Sequence, residues 1–353
     1  MQSFKNHSDF PFFVRAALIL VAIVSFLLLL YWGKLVFIPL FLAFLTAIFL
    51  YPLTKFFEKK HFSKTLAAAI SVLLFFLFIA IVLFFFGAQF LQFLKALPDL
   101  KLKLDAGIEK VQAWMSETYH IKTDPGINFI DSPLSKIVLV AGNVLPIILK
   151  SLILFALFLF FTFYILYHRK LLESFILSFF KQTHRKKIGE IAFELRLVIN
   201  GYVKGLITEM LIFILLSFVL LLLLGIKYAL LMAVFAGVLN LIPYLGIYAA
   251  TAINALVILA TTNLTQTIEV AAVFIFIHII DANIILPRIV GGSVKMNPFV
   301  TLIAVVAGNL IWGVPGMFLF IPLTAIIRVL SEKINEFRSW AILIGKETNT
   351  QDQ

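Results

Sequence analysis

Long apolar runs dominate the chain, and short polar segments separate them. Eight such runs cover residues 16–33, 35–54, 65–94, 151–167, 210–226, 228–268, 270–286 and 296–327. Asp281 is the only formal charge inside any of them. A helix needs roughly 20 apolar residues to cross about 30 Å of hydrocarbon, with a range of about 17–25. The four shorter runs have 17 or 18 residues, and flanking aromatic and lysine side chains can extend them. The pattern therefore predicts an all-α protein, a polytopic transmembrane helical bundle of about eight membrane segments.

The composition supports this fold class. Of the 353 residues, 62% are hydrophobic and 13% are charged, against about 45–50% and about 25% in ordinary soluble domains. A soluble globular protein is therefore excluded, and the lipid bilayer is the expected partner. Lysine and arginine outnumber aspartate and glutamate by 29 to 18. In so apolar a chain this excess predicts membrane orientation and not nucleic-acid binding.

The charges between the apolar runs predict how the chain is oriented. Residues 53–65 carry a net charge of +3 and residues 168–204 one of +5, whereas residues 89–145 are balanced. Cytoplasmic loops of membrane proteins are enriched in lysine and arginine. We therefore expect both basic segments and both termini in the cytoplasm, with residues 89–145 on the opposite side of the membrane.

These boundaries divide the chain into six regions. Segment 89–145 has apolar residues at helical spacing and predicts amphipathic helices, either an external cap or subunit contact or plain interfacial helices. The expected regions are membrane helices 1–3 in 1–88, the outer segment in 89–145, membrane helix 4 in 146–167, a basic cytoplasmic loop in 168–204, a transport core in 205–330 and a cytoplasmic tail in 331–353.

Sequence signatures of common enzymes are absent from the chain. It has no G-x-x-x-x-G-K-[ST] phosphate loop, no H-E-x-x-H zinc motif, no G-x-S-x-G nucleophile motif and no cysteine. We therefore expect no enzyme activity, no cofactor and no metal site. Without a site for ATP, an ion or solute gradient is the expected source of energy for any transport.

Three of the 18 acidic residues lie within or at the rim of apolar helices: Glu209, Glu269 and Asp281. A carboxylate at the bilayer centre costs about 2.5–3.5 kcal/mol on insertion scales, so such residues normally face a cavity or a partner. His278 lies three residues before Asp281, within reach on the same helix face. The two residues form either part of an ion or solute pathway or a structural ion pair between helices.

The other polar residues in this half of the chain also allow two interpretations. Glu209 either lines a pathway or pairs with Lys204 near the inner surface, and Arg288 either lines it or anchors the chain in the cytoplasm. Asn240 and Asn283 are candidate neutral hydrogen-bonding groups of the pathway.

Proline and glycine interrupt the two longest apolar runs of this half. One run of 41 residues, too long for a single span, is broken at Pro243 and Gly246, and another of 32 residues is broken at Pro315 and Gly316. Unwound backbone at membrane depth is tolerated only where it is buried in protein or lines a cavity, and matched breaks point to the binding site of a transporter. We interpret both runs as candidate re-entrant hairpins of an inverted repeat, with these residues and Pro287 as gating positions.

Several motifs of the C-terminal half resemble a known family. They are NGYVKG at 200–205, NLIPYLG at 240–246, DANIILPRIVG at 281–291, NP at 297–298 and GVPG at 313–316. With them the chain resembles the autoinducer-2 exporter (AI-2E) family of bacterial inner-membrane permeases. The resemblance implies a secondary transporter of about eight helices that works as a homo-oligomer. Members have been assigned autoinducer-2 export, and some of them sodium/proton antiport.

Three functional hypotheses follow from these observations. The first is export of a small polar solute, with Asp281 and His278 as the polar pair. The second is antiport of a monovalent cation, such as sodium, against protons by the same carboxylates. The third is a non-transporting membrane scaffold, for which the outer segment would matter most.

Overall fold

The computed structural model describes residues 11–85, 144–179, 185–243, 245–334 and 337–345, together with five single positions between 87 and 102. All the elements named below are α-helices except for one π-helical turn, and within these ranges the only β-pairing is an isolated bridge between Met296 and Gly345. Almost all of the segment 89–145 lies outside the described residues, so the expected outer helices have no structural description here.

The helices are numbered in chain order. They are α1 Phe12–Trp32, α2 Lys34–Lys59, α3 Lys64–Phe85, α4 Val144–Tyr167, α5 Arg169–Ser178, α6 Arg185–Leu223, α7 Ala229–Asn240, α8 Gly246–Thr261, α9 Leu264–Ile280, α10 Leu286–Ile289, α11 Gly291–Val294, α12 Pro298–Trp312, α13 Val314–Lys333 and α14 Arg338–Ile344. The π-helical turn Asp281–Ile285 joins α9 to α10.

Six spans within these elements are long and apolar enough to cross a membrane, and there are seven if α4 and α5, bent by 71° at their junction, are counted together as one span. Three shorter apolar helices, α7, α8 and α12, belong to the two broken runs. The prediction of an all-α polytopic membrane bundle is therefore confirmed.

The first broken run folds back on itself. We call α7, the turn residues 241–243 and 245, and α8 hairpin 1. Its arms have 12 and 16 residues, about 18 and 24 Å at 1.5 Å per residue, so each is short for a membrane crossing. The Asn254 amide donates to the Met232 carbonyl, 3.3 Å away, and so joins the two arms. The turn needs glycine at 246, because a Cβ there would collide with the Leu239 carbonyl.

The second broken run makes a tighter hairpin. We call α12, Gly313 and α13 hairpin 2. Gly313 has a φ of +65°, a left-handed conformation that glycine adopts without strain. Gly308 and Gly316 face each other across the arms, and a Cβ on either would collide with the carbonyl of the other. Pro315 lies in the first turn of α13, where its missing N–H costs no helical hydrogen bond.

One end of the bundle gathers the charged ends of four helices, and we call it the basic end. Arg169 pairs with Glu58, and Lys333 pairs with Glu194 at 3.0 Å. These contacts bring the ends of α2 and α13 and the beginnings of α5 and α6 to one face, so both basic segments lie together. Residues 168–204 differ from the expected loop, because α5 and the first twenty residues of α6 make most of them helical.

The two hairpins point in opposite directions along this bundle. Helix α6 runs from the basic end to Leu223, so hairpin 1, which begins at Ala229, points back toward the basic end. Helix α13 has Lys333 at the basic end, and the tip of hairpin 2 contacts Leu30, next to the α1–α2 turn at the opposite end. This arrangement agrees with the inverted repeat that the two broken runs suggested.

Candidate functional site

Three elements meet around a buried pair of carboxyl groups. Glu209 comes from the middle of α6, Asp281 from the π-helical turn and Asn240 from the tip of hairpin 1. The Asn240 Nδ2 donates to Glu209 Oε1 at 2.6 Å and to Asp281 Oδ2 at 3.1 Å. Glu209 is 2% exposed and Asp281 is 3% exposed. We call this group the carboxyl–amide cluster.

The backbone around Asp281 is wound more loosely than an α-helix. The Leu286 N–H bonds to the Asp281 carbonyl, five residues back, which defines the π turn. Pro287 has no N–H to donate to the carbonyl of Asn283, four residues back, so the regular α-helical ladder is interrupted there. Single π turns of this kind occur frequently at functional sites. The predicted break at Pro287 thus accompanies the turn that carries Asp281.

The cluster is rich in hydrogen-bond acceptors. The carboxyl groups of Glu209 and Asp281 accept hydrogen bonds from the same Asn240 amide nitrogen, and Asp281 Oδ1 is buried without a hydrogen-bond partner. Neither carboxyl forms an ion pair with any lysine or arginine of the described residues. Two ionised carboxylates can only accept hydrogen bonds, so a proton, a cation or a hydrogen-bonding solute would satisfy the unpaired oxygen.

His278 lies beside the cluster but is not hydrogen-bonded to it. Its ring packs edge-on against Tyr248 of hairpin 1, with centroids 5.8 Å apart, and its Nδ1 is buried without a partner. The structural ion pair, which was one of the two interpretations of His278 and Asp281, is not formed in this conformation. Asp281 is hydrogen-bonded across helices to Asn240 instead.

The structure leaves three other candidates outside the cluster. Asn283 is exposed and donates to the Ile279 carbonyl of its own helix at 2.7 Å. Arg288 is exposed. Glu269 is half-buried and lies twelve residues before Asp281, about 18 Å along the helix.

The four gating candidates of the hairpins occupy different environments. Pro243 is half-buried and Gly246 is buried at the turn of hairpin 1, next to Asn240. Gly316 is buried between the arms of hairpin 2, whereas Pro315 is exposed. Only the hairpin 1 pair therefore adjoins the carboxyl–amide cluster.

The sequence analysis did not select Ser217, a second buried polar residue of α6. It is fully buried, and its hydroxyl has no hydrogen-bond partner. It lies eight residues from Glu209, about 12 Å along the helix. Its spacing of about two helical turns from Glu209, in an apolar run, was the one sequence feature that could have indicated Ser217. Across the described part of the chain, no group of three or more His, Asp or Glu residues could hold a metal ion.

Comparison with known proteins gives the family. Residues 20–336 match the family described as "AI-2E family transporter". The chain is 25% identical over 336 residues to the "Putative transport protein YrrI" of Bacillus subtilis, covering 88% of this chain and 92% of that protein. It is 26% identical over 122 residues to the "AI-2 transport protein TqsA" of Escherichia coli, covering 35% and 36%. The motifs of the C-terminal half indicated the same family, and the chain belongs to the AI-2E family of membrane transporters.

Proposed function

We propose that this protein is a secondary transporter that exports a small polar solute across a bacterial inner membrane, with the carboxyl–amide cluster as its coupling site. The observation that carries the proposal is the buried bridge from Glu209 through Asn240 to Asp281. Two carboxyl groups are costly to place in a membrane protein without a partner cation. Their retention is explained if they exchange protons or bind a solute during transport.

The position of Asn240 explains how the cluster would couple to movement. Asn240 is the last residue of α7, directly before the turn of hairpin 1. Movement of the hairpin tip relative to α6 and the π turn would break both of its hydrogen bonds. A proton or solute that binds the carboxyls competes for the same acceptors, so binding and hairpin position are linked. His278 is then a neighbouring group that a proton can reach from Asp281.

A second candidate is antiport of a monovalent cation against protons. It is favoured by the two carboxyl groups of the cluster and by the unpaired Asp281 Oδ1. Oxygen groups of this kind suit hard cations. In this mechanism the same carboxyls bind a cation on one side of the membrane and protons on the other.

Orientation and assembly are part of the same proposal. The net positive charge of 53–65 and 168–204 favours a cytoplasmic basic end, with both termini on that side, and Arg288 as an anchor there. Membership of the family supports a homo-oligomer, which the mass of the purified protein in detergent would test. The name of TqsA makes autoinducer-2 the first solute to test.

The decisive experiment measures flux in proteoliposomes with imposed proton and sodium gradients and a panel of small polar solutes that includes autoinducer-2. We expect gradient-driven solute flux that is lost in Glu209→Gln and Asp281→Asn, while Glu190→Gln, an exposed change on the same helix, transports normally. Sodium-driven proton flux without solute would favour the antiporter. Normal transport by the cluster variants contradicts the assigned site, and the absence of any flux in the native protein would support the scaffold.

A further inference from the structure

Tyr51, near the basic end of α2, is surrounded by cations from three helices. The Arg196 guanidinium of α6 lies 4.4 Å from the centroid of its ring, Arg169 at the beginning of α5 lies at 5.5 Å and the Lys55 ammonium lies at 5.4 Å. Each distance is within the range of a cation–π interaction. We call these four residues the Tyr51 cluster.

The acidic residues nearby do not neutralise this cluster. Glu58 contacts Arg169 with both carboxyl oxygens, and Glu194, two residues from Arg196, pairs with Lys333. Among the described residues, no carboxylate forms an ion pair with Arg196 or Lys55. The two guanidiniums are at most about 10 Å apart, because both lie close to the same ring, and they repel each other at that distance. The cluster therefore carries a local excess of positive charge.

The neighbouring helix α5 offers an apolar surface at the same level. It leaves the direction of α4 at 71°. Five of its six large apolar side chains, counting the flanking Phe179, are exposed and fall within one arc of about 140° at 100° per residue: Leu171, Leu172, Phe175, Ile176 and Phe179. The sixth, Leu177, is half-buried on the other side of the helix. The opposite side of the helix carries Lys170, Glu173 and Ser174. A short helix with this pattern, turned away from the spanning direction, is typical of the membrane interface.

We propose that the Tyr51 cluster and α5 together bind an anionic phospholipid. Its phosphate would lie between Arg196 and Lys55, and its acyl chains would run beside the apolar arc of α5. Arginine matches phosphate geometry with paired N–H donors, and basic pockets between membrane helices bind anionic headgroups in this way. A free phosphate would use the charges alone, whereas a lipid uses the charges and the apolar arc, so the adjoining helix favours the lipid.

The proposed lipid would connect helix α2 to helix α6, which carries Glu209 of the carboxyl–amide cluster. Tyr51 and Lys55 belong to α2, whereas Arg196 belongs to α6, which carries Glu209 thirteen residues farther on, about 20 Å along the helix. A headgroup between them would hold the two helices together at the basic end. This inference does not depend on the transported solute.

Native mass spectrometry of the purified full-length protein tests the proposal. The probes are dioleoyl phosphatidylglycerol, dioleoyl phosphatidylcholine and inorganic phosphate. We expect the native protein to retain phosphatidylglycerol in preference to phosphatidylcholine, and Arg196→Gln and Lys55→Gln each to bind it about five-fold more weakly. Lys187→Gln, which removes one exposed charge from the same helix, should bind it as the native protein does.

Arg196→Lys separates lipid binding from a purely structural role of the arginine. The variant keeps the charge, so it should keep most of the preference for phosphatidylglycerol. All variants are compared only as monodisperse protein. The proposal is overturned if Arg196→Gln and Lys187→Gln have equal effects, if Arg196→Lys loses binding as fully as Arg196→Gln, or if native protein does not discriminate between the two lipids. Displacement of the lipid by millimolar phosphate would identify a soluble anion site instead.

Discussion

The two hairpins begin from similar sequences but end in different environments. Both are apolar runs broken by proline and glycine. Both arms of hairpin 1 are too short to span a membrane, whereas in hairpin 2 only α12 is. Hairpin 1 ends in Asn240, whose amide bonds two buried carboxyl groups. Hairpin 2 ends in Trp312, which is buried among aromatic rings.

The tip of hairpin 2 is fixed to the N-terminal helices. The Trp312 indole N–H donates to the Leu30 carbonyl at 2.9 Å. Leu30 is among the last four residues of α1, whose carbonyls have no intrahelical partner, so Trp312 satisfies a group that would otherwise be unpaired. Its ring packs against Phe41 of α2 and Phe320 of α13, with centroid distances of 5.6 and 5.5 Å.

This difference shows that a broken membrane helix does not by itself define a gate. In each hairpin, proline and glycine allow the chain to turn, but the residue at the tip decides what the turn contacts. The contacts of hairpin 2 favour an anchor, formed by apolar packing, one indole hydrogen bond and the Gly308–Gly316 crossing. The contacts of hairpin 1 favour a movable element, because a proton or solute can compete for them. We therefore propose that the gate lies at Pro243 and Gly246 of hairpin 1 rather than at Pro315 and Gly316 of hairpin 2.

Replacing an asparagine near each tip by leucine should give the largest difference between the hairpins, measured as the rate of transport. Asn240→Leu removes both hydrogen bonds of the carboxyl–amide cluster, so we expect the rate of transport in proteoliposomes to fall at least about ten-fold, as for loss of a hydrogen bond to a charged group. Asn309→Leu, at an exposed site one turn from the tip of hairpin 2, should transport normally. Equal losses in the two variants would contradict the assignment of the polar function to hairpin 1.

The close contact of Gly308 and Gly316 in hairpin 2 should contribute more to the free energy of unfolding than the hydrogen bond at its tip. In Gly316→Ala the new Cβ would meet the Gly308 carbonyl, so the arms must separate and the free energy of unfolding should fall by about 1–3 kcal/mol, as in an overpacked core. The midpoint of thermal unfolding in detergent, followed by circular dichroism, measures this. Gly189→Ala is the control, because its Cβ would meet nothing within 4 Å and alanine favours the helix. A normal midpoint in Gly316→Ala would show that the arms are loosely packed.

Much of this architecture was predictable from the sequence because lipid imposes strong rules. Charge in an apolar run is rare and costly, so the sequence singled out Glu209 and Asp281, and the structure buries both of them. Their connection was not predictable. Asn240 is 31 residues from Glu209 and 41 from Asp281, and no local spacing rule predicts a bridge between three separate elements. The choice of His278 as the partner of Asp281 followed such a local rule, and the structure joins Asp281 to a different helix.

The limits of sequence reasoning are equally clear in hairpin 2. Its proline and glycine residues match those of hairpin 1 in type and order, so the sequence predicted two similar gates. The burial of Trp312 was not predictable from its residue type, because tryptophan in a membrane helix ordinarily indicates a position at the lipid interface. The basic segment 168–204 was expected as a loop for a similar reason. Its charge predicts the side of the membrane but does not distinguish a loop from a helix that continues into water.

The indole hydrogen bond of hairpin 2 should contribute less than the glycine crossing. Trp312→Phe keeps an aromatic ring against Phe41 but removes the donor to the Leu30 carbonyl. We expect the free energy of unfolding to fall by about 1–2 kcal/mol, within the range for a buried polar group left unpaired, with transport retained in the folded fraction. Trp32→Phe is the matched control, since Trp32 is 77% exposed. A loss of transport without a loss of stability would instead give hairpin 2 a direct part in gating.

Thiol labelling of the two tips should reveal the sides of the membrane from which they are reached, with the smallest disturbance of the protein. The native chain has no cysteine, so Leu245→Cys and Val314→Cys can each be studied alone. The two side chains have similar exposures, 57% and 49%, and a difference in labelling would therefore report the side of the membrane and not burial. If hairpin 1 dips from the outside, an impermeant reagent added outside should modify Leu245→Cys. Val314→Cys is the external reference, because it lies beside the tip of hairpin 2 at the end of the bundle opposite the basic end, and it should also react from the outside. Two ordinary spans would instead place the turn at Pro243 in the cytoplasm. Protection of Leu245→Cys from the external reagent, with ready labelling from within, would thus exclude a re-entrant hairpin 1.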